Sequence, residues 1–90
     1  MKHTGVELIA QERKEQIEKH GFDVNNDKDY SNGELIQAAK YCIDSVDTEW
    51  PGSWEVHFAI KIADKDRVGQ LKVAGAFIAA EIDRIQNMED

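Results

Sequence analysis

The chain holds one cysteine, one proline and three histidines in ninety residues, and each scarcity excludes something. A lone Cys42 rules out a disulfide framework within the chain. Its neighbours Ala38, Ala39, Tyr41 and Ile43 mark it as a small hydrophobe packed in a core. His3, His20 and His57 are scattered, with no His-x-x-x-His spacing and no paired cysteine, so no metal ligands are assigned. Basic residues are also few. Eleven Lys and Arg against eighteen Asp and Glu leave a net charge of −7, without a basic stripe to follow a nucleic-acid backbone. A compact nucleotide in one pocket stays open, because a few local cations serve it whatever the total charge. No apolar run approaches the roughly 18 residues of a membrane span. Met1-Lys2-His3-Thr4 carries no secretory segment, and a cytoplasmic protein is expected.

The machinery of common reactions is missing as well. No serine sits in a glycine-flanked elbow, and no glycine-rich phosphate loop is present. The oxygen-rich stretch from Asp23 lacks a calcium loop's glycine at the sixth position, where Lys28 stands. Magnesium-dependent all-helical nucleotide pyrophosphohydrolases need carboxylate pairs at i, i+3. Here Glu34 stands alone, while Glu81 and Asp83 are two apart and face different ways. With every catalytic set incomplete, the expectation leans to a binding module with no catalytic residues and no cofactor. The rival reading is such a pyrophosphohydrolase, working through Glu34 and Glu81.

Helical rhythm is plentiful. In the last third, Val68, Leu71, Gly75, Ile78, Ile82 and Ile85 recur at spacings of 3, 4, 3, 4 and 3, the seam of a helix facing a partner. Val73, Phe77 and Ala80 form a second apolar line beside it. Ala74, Gly75 and Ala76 thin the middle, so a backbone from this chain or a second copy can come close. Upstream, Thr4-Gly5-Val6-Glu7 is a capping box, and Gly21 suits a helix stop with Phe22 folding back. That helix places Val6, Ile9, Ala10 and Ile17 on one face with Arg13 near its centre, and Gln16 and His20 at the edge. Arg13 then either pairs with a carboxylate of another helix, Glu34 or Glu81, or faces a pocket. Residues 23–30 read as a loop. Ser31 to Glu34 reads as a second capping box, opening a helix with a buried stripe of Leu35, Ala38, Ala39, Cys42 and Val46.

Trp50-Pro51-Gly52-Ser53-Trp54 places both tryptophans on a turn, where they either plug the open end of the bundle or offer a stacking surface. Val56, Phe58, Ile60 and Ile62 then alternate with His57, Ala59, Lys61 and Ala63. That is a short strand pairing with its copy, or an irregular or helical connection. The expected fold is therefore all-α. It is a single domain over 1–90 with three main helices at about 5–20, 32–46 and 65–87. Asp64 or Asp66 caps the last helix. Two short helices cannot cover the seam and the second line together, so a homo-oligomer, in the first instance a dimer, is expected.

The run Glu7-Leu8-Ile9-Ala10-x-Glu12-Arg13-x-x-Gln16-Ile17-x-x-x-Gly21 resembles a family of small bacteriophage and prophage accessory proteins. The likeness continues through Asp27, Gly33-Glu34-Leu35 with Ala38-Ala39 and Tyr41, then Trp50-Pro51 and Trp54. It ends with Lys65-Asp66-Arg67, Leu71-Lys72, Ala74-Gly75-Ala76, Ile78 and Ala80-Glu81-Ile82-x-Arg84. Phe22 stands where the family pattern has tryptophan, Asp29 where it has histidine, and residues 58–62 differ. The first helix and the Ala-rich last helix are also faintly similar to phage nucleotide pyrophosphohydrolases. The family resemblance implies a counter-defence protein that sequesters a nucleotide-derived immune signal between subunits, or one that blocks a host protein by surface contact. Polar residues that the apolar pattern leaves unexplained mark the expected ligand site: Arg13, Gln16, Trp50, Trp54, Lys65 and Arg67. Cations there suit phosphate and indoles suit a base or nicotinamide ring.

Overall fold

A computed structural model describes residues 3–20, 33–52 and 54–88. They form four helices: α1 (Gly5–His20), α2 (Glu34–Ile43), α3 (Val56–Ala63) and α4 (Arg67–Met88). The all-α expectation holds, and among the described residues there is no strand. Three main helices become four because 56–63 is helical. The alternating pattern misleads there because its alanines are apolar and favour helix. A lone strand leaves backbone groups unpaired, whereas an eight-residue helix satisfies many of its own. Ala59 and Ile62, three apart, are its buried residues.

The Thr4 capping box forms as read. The Thr4 N–H donates to Glu7 Oε1 at 3.0 Å and the Glu7 N–H to Thr4 Oγ1 at 3.2 Å. At the second, the described helix begins just after Gly33. Gly33, at φ +85°, is the N-cap of α2, and no side chain among the described residues bonds there. Such a φ suits glycine, and a β-carbon would strain it. Ser31, the Gly21 stop, Phe22 and the 23–30 loop lie outside the described residues. At its other end α2 stops at Ile43 instead of Val46. Asp44 Oδ1 accepts from the N–H groups of Val46 and Asp47, both at 3.3 Å, and so draws the backbone into a turn. Val46, expected in the stripe, is exposed, whereas Leu35, Ala38, Ala39 and Cys42 are buried as expected. Asp66 caps α4, its Oδ1 accepting from the Gly69 N–H at 2.8 Å.

Helix α4 is the post on which the others stand. Helices α1 and α2 both pack against it, and α3 touches both α2 and α4. The core joins the α2 stripe to Ile62, Val73, Ala74, Phe77 and Ala80, with Tyr41, Trp50 and Trp54 against it. The tryptophan turn plugs this core. Trp50 meets Tyr41 edge-on at 5.3 Å and Trp54 at 5.4 Å, and Pro51 is fully buried. Two faces reverse the expectation from periodicity. On α4 it is the second line that is buried, while Val68, Leu71, Ile78, Ile82 and Ile85 are exposed. Gly75 is taken by this chain's own α1, since a β-carbon there would lie 2.6 Å from Ile9 Cδ1. On α1, Val6 is 79% and Ile17 40% exposed, while Glu12, Arg13 and Gln16 are buried. Two amphipathic stripes on one helix have equal period, so spacing alone cannot say which faces inward. No described helix is long and apolar enough to cross a membrane.

Candidate functional site

The polar inner face of α1 has a geometric reason. A cleft of about 190 Å³ opens between α1 and α3, and Glu12, Glu15 and Gln16 form its α1 wall. Their i, i+3, i+4 spacing sets all three on one side of the helix. Val73 and Phe77 of α4 make the floor. The opposite wall is Phe58, Lys61 and Ile62 of α3, with Lys65 just beyond it and Trp50 from the turn. The Trp50 indole is held in place by its Nε1–H, which donates to the Glu55 carbonyl at 3.1 Å. The cleft is thus acidic on one side, basic on the other and aromatic below.

Gln16 is its unusual member. The residue is 2% exposed, and among the described residues neither Nε2 nor Oε1 has a hydrogen-bond partner. An amide left so costs about 1–3 kcal/mol for each unsatisfied group, a cost that a ligand pairing with both atoms removes.

Gln16, Trp50 and Lys65 of the six expected residues come together here. The other three have structural employment. Arg13 is buried, and its Nη2 donates to Asp83 Oδ2 at 3.2 Å, a carboxylate partner not singled out from sequence. Trp54 packs on Phe77 at 5.6 Å, within the plug. Arg67 donates from Nη1 to the Ile43 carbonyl at 2.7 Å, satisfying a carbonyl at the end of α2. Glu12, Glu15, Phe58 and Lys61 join the site without having been singled out from sequence. The pair Lys61 and Lys65 at i, i+4, opposite a Glu-x-x-Glu-Gln run, is the signal that marks them.

The carboxylates of the rival enzyme reading lie elsewhere. Glu81 Oε1 accepts from Arg84 Nε, and this bond, reinforced by the charges of Glu81 and Glu34, holds the guanidinium more firmly protonated than usual. One cation thus balances both. Among the described residues no three His, Cys, Asp or Glu side chains group as metal ligands. Cys42 is no nucleophile in this setting, since burial pushes its thiol pKa up to about 12. Comparison with family profiles, curated proteins and solved structures finds no match to this chain.

Proposed function

We propose that this chain is a binding protein that sequesters a nucleotide-derived small molecule in the α1–α3 cleft. The observation that carries the reading is the buried Gln16 amide, without partners among the described residues, on the wall of an aromatic-floored cleft rimmed by two lysines. Aromatic faces suit a base, and ammonium groups suit phosphate. The resemblance to small phage and prophage proteins supplies the setting, a counter-defence protein that removes a host immune signal in the host cytoplasm. The carboxylates of the rival enzyme reading, Glu34 and Glu81, lie around Arg84 and not in this cleft.

A homodimer belongs to the same proposal. Val68, Leu71, Ile78, Ile82 and Ile85 are exposed at the spacing of a helix-packing seam. At its start, Leu8, Ile9, Val68 and Leu71 line an apolar groove. A second copy presenting the same line covers both. The cleft of about 190 Å³ is smaller than the roughly 300 Å³ at which pockets for whole ligands begin. It therefore accepts one ring of a nucleotide and leaves the remainder outside.

Thermal shift of the pure protein against mononucleotides, cyclic dinucleotides, ADP-ribose and its cyclic forms tests the binding. At least one compound raises the melting point, by about 2.7 kcal/mol of added stability at a hundredfold excess over Kd. The double variant Lys61→Ala, Lys65→Ala loses most of that gain. A flat response to the whole set overturns the proposal. Sedimentation reports on the pairing separately: a monomer at micromolar concentration removes the dimer, while Ile82→Glu should dissociate a dimer that forms.

A further inference from the structure

The cleft's polar atoms also choose among bases. A glutamine amide offers one N–H donor and one carbonyl acceptor side by side, and adenine's amino group beside a ring nitrogen complements both. Guanine and hypoxanthine also present a donor beside an acceptor, so the neighbours of Gln16 must decide. Glu12, one helical turn before it, is 9% exposed on the same wall, and its carboxyl group presents acceptor oxygens. A carbonyl oxygen at the ligand's 6-position would set acceptor against acceptor there. An amino group there has two hydrogens, one for Gln16 Oε1 and one for Glu12. The apolar floor of Val73 and Phe77 offers the ring a surface without competing for its edge.

We infer that the cleft takes an adenine ring base-first, with Gln16 reading the 6-amino edge, Glu12 taking the second amino hydrogen and the phosphates directed outward past Lys61 and Lys65. This rests on the reading of the cleft as a nucleotide site, and it adds the identity of the base. Both atoms of the orphaned amide are then paired, and the acidic wall gains a role that phosphate binding alone denies it. The lysines, which carry no base information, contribute affinity to any nucleotide.

Isothermal titration with ADP and IDP isolates the claim, because the pair differ at the purine 6-position and its adjacent ring nitrogen alone. The expected result is ADP binding on the order of 10- to 100-fold tighter than IDP, the discrimination of one good bidentate contact. In Gln16→Leu that preference collapses to within about twofold while the variant keeps its helical circular dichroism; Lys65→Ala weakens both nucleotides by a similar factor and preserves the preference. Equal binding of ADP and IDP to the wild type overturns the inference while leaving a nucleotide site standing, as does a preference that survives in Gln16→Leu. Binding of another nucleotide with neither of these two also overturns it. Absence of binding by every nucleotide tried removes the nucleotide reading itself.

Discussion

Helices α1 and α2 both lean on α4, yet they bury opposite chemistries. Helix α2 buries Leu35, Ala38, Ala39 and Cys42 and so joins the core. Helix α1 buries Glu12, Arg13 and Gln16 and leaves Val6 and Ile17 in solvent. Apolar burial is worth roughly 25 cal/mol per Å², so α2 is held by the strongest driving force of folding. Helix α1 is held by less: the capping box, the insertion of Ile9 over Gly75 and the Arg13–Asp83 pair. One flanking helix thus serves stability, while the other spends its inner face on polar groups that packing does not require. An element with little apolar anchorage opens at lower free energy than the core, which suits a helix forming one wall of a ligand cleft.

The comparison breaks most visibly at Leu35, which is 0% exposed. Leu35→Ala should cost about 2–5 kcal/mol and lower the denaturant midpoint accordingly, because the site lies between α2 and α4 where little can collapse into the cavity. A loss below about 1 kcal/mol would show that α2 is not the structural partner. On α1 the sign should reverse. Gln16→Leu replaces an unsatisfied amide with a hydrocarbon of similar size, so stability without ligand should hold or rise by about 1 kcal/mol. A loss above about 1 kcal/mol would mean that the amide is satisfied in solution and that its role is structural.

This contrast was only half legible in the sequence. The α1 limits, the Thr4–Glu7 box, the core part of the α2 stripe and the Asp66 cap follow from local chemistry, which acts over three or four residues. The fate of Val6, Ile17 and the Val68-to-Ile85 line depends on where α1 sits around α4, and helical period carries no information on that. At 56–63 six apolar residues interrupted by His57 and Lys61 satisfy both the strand and the helix pattern. Within the site, Gln16 stood out because a polar residue flanked an apolar face. Glu12, Glu15 and Lys61 looked like ordinary solvent-facing charges until α1 and α3 were placed opposite one another. Arg13 drew attention for the right reason, its burial, but its partner Asp83 is seventy residues away.

The smallest effect sharpens the same comparison at the start of α1, where a local cap substitutes for missing apolar anchorage. The Thr4 N–H bond, the Thr4 hydroxyl and then His3 hold the Glu7 carboxyl below its ordinary pKa of 4.5. His3 Nδ1 lies 3.6 Å from Glu7 Oε2, and both side chains are exposed. A carboxylate whose pKa is lower in the folded state contributes stability above its unfolded value, and loses it as pH falls through the folded one. The contribution is therefore complete at pH 7 and fades below about pH 4.5. Carbon-13 titration of the Glu7 carboxyl should show its midpoint rising toward the ordinary value in Thr4→Val, with a smaller rise in His3→Ala. In parallel, the melting-point gap between wild type and Glu7→Gln should close as pH drops toward about 3, because glutamine keeps the capping hydrogen bond and loses only the charge. If Thr4→Val leaves the Glu7 midpoint unchanged, the box is not formed in solution. Helix α1 would then be held by Ile9 and Arg13 with no help from its first turn.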